Sequence, residues 1–373
     1  MTWKTVKLGE VCEVDWGNTS LTKKAYIKDG EYLAVSATGG DGRINHYEHA
    51  ENVCVLSAIG AQCGKMFFPE QKFTAIKNTI TFTPKSELVF GRFLYYLLTN
   101  VELPKRGAAQ PFISKGDIQS FVVSYPPLAE QERIVAKLDA AFAAIDQGIA
   151  LAEKKEAEVE QLKAALLSAS LAGDDWKTVK LGEVCELKNG FAFKSSKFRA
   201  EGTPILRISN IQDGSITLKK IVYACQADYT EDLEKYRVSE GALLIAMSGA
   251  TTGKVGINTT KNSFYLNQRV GMFKPTNALD RDYLYYLLST KVEENLSISA
   301  GAAQPNLSTK QINSITFPLP PLAEQERIVA KLDAAFAELE TARTAIAETK
   351  ANYQALKAAI LAQELQPKEN AAA

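Results

Sequence analysis

Two stretches of the chain alternate apolar and polar residues with a helical period. In the first, Val135, Leu138, Phe142, Ile145, Ile149 and Ala152 follow one another at steps of three and four, the seam of a coiled coil. The second has Val329, Leu332, Phe336 and Leu339, then Ile346, Tyr353, Leu356 and Ile360, with Arg343 and Lys350 interrupting. Each opens on Pro-Pro, which suits the first turn of a helix, and each places glutamates (Glu130 and Glu132; Glu324 and Glu326) where a helix N-terminus favours negative charge. Leu128 to Leu171 and Leu322 to Leu365 both count 44 residues, which as unbroken helix is about 66 Å. Two equal helices with matching seams are expected to pack on each other. Antiparallel packing would place what precedes each of them at opposite ends, with the pair as a spacer. Gly148 and the alanine-rich LKAALLSASLAG are the weak points.

Outside these stretches the apolar runs are shorter. NTITFTP, SFVVSYP, GALLIAM and SITFPLP are β-branched or aromatic and are bounded by Gly, Asn and Asp, so they read as strands. GRFLYYLLTN and RDYLYYLLST read as one amphipathic helix each, with a Tyr/Leu face belonging to a core. The expected organisation is α+β: a mixed α/β domain over residues 1–125, a long helix over 126–172, a second mixed domain over 173–317, and a long helix with a short tail over 318–373.

Self-similarity supports that division. WKTVKLGEVCE starts at Trp3 and again, letter for letter, at Trp176, an offset of 173; PPLAEQERIVAKLDAAFA starts at Pro126 and again at Pro320, an offset of 194. Between these anchors lie weaker echoes: GAQCGK and GATTGK, FLYYLL and YLYYLL, and GAAQP twice. The chain is a tandem duplication with a pseudo-two-fold internal repeat. Identical ends imply a shared task, and unlike middles imply unlike contacts.

Composition narrows the class. At 373 residues, 46% hydrophobic and 23% charged, the chain is long enough for two cores and too apolar for disorder. No apolar run reaches the roughly 18 residues of a membrane span, and MTWKTVKLGE offers no secretory h-region, so a cytoplasmic protein is expected. The five cysteines (Cys12, Cys54, Cys63, Cys185, Cys225) contain no C-x-x-C pair, and the two histidines, His46 and His49, have no further ligand nearby, so reduced thiols and no metal are expected. The zero net charge divides unevenly: the globular segments carry +2 and +3, the helical ones −3 and −2. Basic domains on an acidic spacer suit contact with phosphates.

GAQCGK and GATTGK are not P-loops, because only three residues separate Gly from Gly-Lys and Met66 or Val255 follows. They read instead as Gly-rich turns whose amides, with Lys65 or Lys254, meet a DNA phosphate. Amide-rich loops are the other candidates, since Asn and Gln match adenine and Arg matches guanine. In the second copy these are Arg207, Ser209, Asn210 and Gln212 in ILRISNIQDG, Asn267, Gln268 and Arg269, and Gln304, Asn306 and Ser308 in GAAQPNLS. The corresponding residues of the first copy are Ser36 to Thr38, Asn78 and Thr79, and Gln110, Phe112 and Ser114. Turn-forming side chains would look the same. Tyr125-Pro126-Pro127 lacks the flanking residues of an amino-methyltransferase motif and serves as helix punctuation; no catalytic elbow, zinc signature or cofactor loop is present.

WKTVKLGEV, GFAFKSSKFRAEGTPILRISNIQDG, GATTGK, GAAQPNLS and PLPPLAEQERIVAKLDAAF closely resemble the specificity subunit of bacterial type I restriction-modification systems, over essentially the whole chain. The resemblance implies two target-recognition domains, each reading one half of an asymmetric, bipartite site in double-stranded DNA. It implies paired helices, packed as an antiparallel coiled coil, that fix the gap and bind two modification subunits. It also implies no catalysis and no cofactor in this chain: S-adenosylmethionine for adenine methylation would belong to those partners, and ATP and magnesium to restriction subunits where the system has them. The first middle departs from the family pattern, with YLAVSATGGDGRINHY in place of LRISNI. Half-sites centred one turn of DNA apart, about 34 Å, are expected. The competing readings are a stand-alone methyltransferase or nuclease, and a coiled-coil scaffold or anti-restriction mimic without base reading.

Overall fold

The computed structural model describes residues 3–86, 89–173, 175–290 and 306–366. They form two compact units, the described residues within 1–154 and 346–373, and those within 155–345. Each long helix is shared between the units, so that each unit holds one mixed α/β domain with the parts of both helices that pack on it.

In the first unit the main sheet is antiparallel, in the order Cys12–Trp16, Thr79–Pro84, Cys54–Ser57, Met66–Phe67. Cys54–Ser57 is buried at all four positions, which is why it reads as an unbroken apolar run. A smaller sheet sets Tyr32–Ser36 between Gly39–Ile44 and a parallel partner, Phe73–Ala75. A separate pair joins Lys4–Lys7 to Val122–Tyr125, with Lys4 opposite Tyr125. The two sequences repeated letter for letter are therefore neighbours in space: the strand that opens the first pairs with the strand that runs into Pro-Pro and the long helix.

That helix, Leu128–Ser170, is continuous over 43 residues. Its inner face supplies Ile134, Val135 and Leu138 to a core that also takes Phe93, Leu94, Leu97 and Leu98 from the short helix Gly91–Thr99, and Leu361 and Leu365 from the end of the second long helix. Burying each of these side chains contributes about 1.5–3 kcal/mol, so the domain and both helices are held by one apolar cluster. Within this unit the two long helices run antiparallel: Lys137 bonds Glu364 at 2.6 Å, Asp146 bonds Lys357 at 2.7 Å, and Glu153 meets Lys350 at 3.9 Å. One seam position differs from the expectation. Leu356 is 46% exposed, and the inner place goes to Lys357, whose stem covers Phe142 with Nζ 4.9 Å from the ring centroid while its ammonium reaches Asp146.

The second unit repeats the plan. Its main sheet runs Cys185–Asn189, Val270–Pro275, Leu243–Ala246, Val255–Ile257, and Lys177–Lys180 pairs with Thr316–Leu319. The smaller sheet keeps the same order, with Val222–Ala224 antiparallel and Phe264–Leu266 parallel to the central Thr203–Leu206, and adds Arg237–Val238 beside Phe264–Leu266. An aromatic cluster of Phe191, Phe193, Tyr229, Tyr236 and Tyr265 fills that addition. The short helix Arg281–Thr290 packs with Ile328 and Leu332 of the second long helix, Leu322–Glu364, also 43 residues, and with Leu171 at the end of the first. Lys163 lies 5.2 Å from the Phe336 ring centroid, so the helices are antiparallel here too.

The cysteines are free, and burial pushes the Cys12 thiol up to about 12 and that of Cys185 to about 11. Among the described residues no group of three or more His, Cys, Asp or Glu side chains is placed to hold a metal, and no helix is long and apolar enough to cross a membrane.

Candidate nucleic-acid interface

Segments far apart in sequence meet at one edge of each domain. In the first, the Gly-rich turn is hydrogen-bonded on both sides: Ala58 N–H donates to Asn78 O at 2.9 Å, while Ile113 N–H donates to Ala58 O at 2.8 Å and Gly60 N–H to Pro111 O at 2.9 Å. In the second, Met247 N–H donates to Arg269 O at 2.9 Å and Leu307 N–H to Met247 O at 2.8 Å. The turn that bears Lys65 or Lys254 thus lies between the turn at 76–79 or 267–269 and the loop before Ser114 or Ser308. Close approach requires glycine nearby: a Cβ on Gly17 would sit 2.2 Å from Thr79 Oγ1, and one on Gly190 2.2 Å from Leu266 O.

The fourth segment joins on the other side. Thr251 Oγ1 donates to Ile208 O at 2.9 Å, and Asn267 N–H to Leu206 O at 3.1 Å, so Arg207 to Asn210 line the same edge as Lys254. In the first domain Ile76 N–H donates to Val35 O at 2.9 Å, which sets Ser36 where the second domain has Arg207. By the same hydrogen-bond pattern Asn78 holds in the first domain the place that Arg269 has in the second; Asn78 takes a left-handed backbone, φ 72°, a conformation asparagine tolerates.

The candidates separate by what their polar groups do. Thr38, Lys65, Gln110, Phe112, Ser209, Gln268, Asn306 and Ser308 are exposed, and Arg207, Lys254 and Asn267 are half-buried. Asn210 is fully buried: its Oδ1 accepts from Arg207 N at 3.1 Å and its Nδ2 donates to Thr217 O at 2.9 Å and Lys219 O at 3.3 Å. It builds the loop and leaves no group for a base. Ser36 is 3% exposed and bonded to Thr38 and Asp41, so it too supports the loop from within. Ser114 and Ser308 cap short helices, accepting from Asp117 N at 3.1 Å and Gln311 N at 3.3 Å. Asn267 Oδ1 accepts from Arg269 N at 3.2 Å. Gln304 lies outside the described residues.

Two carboxylates that sequence reasoning passed over shape this edge. Asp41 accepts from Ser36 at 2.9 Å and Tyr26 at 2.6 Å, and also from Lys23 and Thr38. Partial burial opposes its ionisation, but these hydrogen bonds outweigh it and hold the carboxyl well below the usual range. Asp213 pairs with Lys254 at 2.9 Å, whereas Lys65 faces solvent with its Nζ 5.5 Å from the Phe67 ring centroid. The only sequence signal for Asp41 is the turn-rich TGGDG, which names a hairpin and not its hydrogen bonds. In the loop beyond the Gly-rich turn, Arg106 and Phe112 exchange backbone bonds of 2.8 Å, and Arg106 also pairs with Asp117, whose carboxyl the Ser114 hydroxyl and then Arg106 hold low. A rigid rim of exposed amides, hydroxyls and lysines results, with a backbone fixed by its own bonds.

The family model described as "Type I restriction modification DNA specificity domain" matches residues 1–161 and 173–349. The chain is 25% identical over 306 residues to the type I restriction enzyme MjaVIII specificity subunit of Methanocaldococcus jannaschii, covering 76% of this chain and 72% of that protein. To the EcoDI specificity subunit of Escherichia coli it is 24% identical, over 96% and 87% of the two. Among solved structures, a chain from a study of assembly of the type I R-M system superposes with a TM-score of 0.77 at 22% identity over 98% of both chains. The HsdS subunit from Thermoanaerobacter tengcongensis superposes with a TM-score of 0.57 at 22% identity, over 98% of this chain and 97% of that one. At this identity the two superpositions speak for the fold alone.

Proposed function

Since the chain belongs to the family of type I restriction-modification DNA specificity proteins, we propose that it reads an asymmetric, two-part sequence in double-stranded DNA, one half with each domain, and positions adenine methyltransferase subunits that carry the chemistry. It works as a non-catalytic part of a type I restriction-modification complex; relatives matched over most of its length are named type I restriction enzyme specificity subunits. The observation that carries the reading is the meeting of the Gly-Lys turn, the turn at 76–79 or 267–269 and the loop before Ser114 or Ser308, hydrogen-bonded side by side in both domains. Lysines and backbone amides suit phosphates, and exposed Thr38, Gln110, Ser209, Gln268 and Asn306, with Arg207 and Asn267, suit base edges. Because these residues differ between the copies, the half-sites differ.

The long helices are the spacer and the partner-binding element. Their repeated segments expose the same face, Glu132, Arg133, Ala136 and Lys137 in one and Glu326, Arg327, Ala330 and Lys331 in the other. The core does not require that identity, and it suits two copies of one modification subunit. S-adenosylmethionine belongs to those subunits; restriction subunits, where present, add ATP and magnesium chemistry.

The test is sequencing of methylated adenines in cells with and without this chain and its methyltransferase partner. A two-part motif with one fixed gap is expected. Exchanging residues 1–125 for another recognition domain then changes one half only, and lengthening both helices widens the gap alone. Partner binding without sequence preference, insensitive to salt, would favour a scaffold instead.

A further inference from the structure

Each long helix holds its domain by two polar ties in addition to the apolar core. Gln131, with no exposed surface, accepts through Oε1 from the backbone N–H of Phe90 at 2.9 Å and donates through Nε2 to Pro126 O at 2.8 Å. Gln325, equally buried, accepts from the N–H of Asp280 at 2.8 Å and donates to Ala278 O and Pro320 O, both at 2.9 Å. Phe90 and Asp280 each immediately precede the short helix of their domain. Eight residues further along the long helices, Asp139 accepts from Tyr96 and, at 2.9 Å, from Arg92, while Asp333 accepts from Tyr286. Tyr96 and Tyr286 both stand on the short helices, each ring edge-on to Phe142 or Phe336 at 5.5 Å.

Two features set these ties apart from packing. A buried amide is costly unless its donors and acceptor are satisfied, so the glutamine tolerates one placement of the partner backbone, whereas apolar contacts allow sliding. The ties are also separated by about 12 Å along the long helix, and two separated points remove the pivot that one would leave. At the first point the socket binds main-chain groups, which is why identical glutamines accept Phe90 in one domain and Asp280 in the other. Unlike recognition domains are thereby mounted at one angle.

We propose that Gln131 with Asp139, and Gln325 with Asp333, are positioning residues that set the angle of each recognition domain on its long helix and so the register between half-sites. This rests on the DNA-reading function proposed above. The test uses the full chain with its methyltransferase partner and sequences methylated adenines for Gln325→Leu, Tyr286→Phe and the double variant. Both half-sites are expected to stay unchanged, while discrimination against gaps one base pair longer or shorter falls about tenfold per lost tie. Unmoved gap discrimination in the double variant, or altered half-sites, overturns the proposal. If Gln325→Leu prevents accumulation, Tyr286→Phe, which removes one hydroxyl and keeps the ring, decides alone by the same two outcomes. An unaltered chain with no two-part motif defeats the reading itself, whereas a normal motif with unmoved variants defeats only the positioning role.

Discussion

Gly148 faces Tyr353 across the helix pair so closely that a Cβ on the glycine would lie 2.6 Å from the tyrosine Cζ. The residue that looks like a defect in the helical pattern is the space into which the opposing ring fits. Gly148→Leu overpacks the seam and is expected to destabilise this unit by about 1–3 kcal/mol. Urea unfolding checks it, and adding Tyr353→Ala should restore most of the loss; a Gly148→Leu chain as stable as the original would contradict the fit.

Asn210 holds the second domain's loop by three bonds to backbone groups. Asn210→Ala leaves those groups unpaired and is expected to cost about 1–3 kcal/mol. In methylation sequencing the second half-site should degrade while the first stays sharp. Loss of both halves together would mean that the effect is not local.

Asp41 is held low by its hydrogen bonds, so its ionised form stabilises the first domain. That contribution is present in full above the unfolded carboxyl value, about 3.9, and is lost as pH falls from there through the lower folded value. Urea midpoints followed from about pH 6 into acid should fall less steeply for Asp41→Asn than for the unaltered chain. Parallel curves would remove the carboxylate from the account.

Lys65 is exposed, whereas Lys254 already pairs with Asp213. Lys65→Ala is expected to weaken DNA binding alike for all sequences and to reduce the slope of log affinity against log salt by about 1. A change in sequence preference with the slope intact would assign Lys65 to a base instead of a phosphate.

The order of domain and helix, the helix lengths and the duplication were legible from the chain because periodicity and repetition are local records of which face is buried. Pro-Pro marked the helix starts for the same reason, since proline acts on the backbone beside it. The seam misled only at Leu356, where Lys357 takes the inner place because its long stem can pack while its charge reaches Asp146.

The interface was legible in part. Asn210, Ser114 and Ser308 carry the chemistry of base readers, yet each is bonded to backbone groups; which amides and carbonyls need a partner is known only once the loop has closed. The match of Ser36 with Arg207 could be drawn from the repeat, but that Ser36 is buried against Asp41 depends on how its loop closes, and nothing in the repeated AEQER run marks its glutamine as buried. Sequence alone determined the kinds of elements and their duplication, because those follow from neighbouring residues. Tertiary structure decided which polar side chains hold the fold and which face outward, because a hydrogen bond's partner is chosen by contacts distant in the chain.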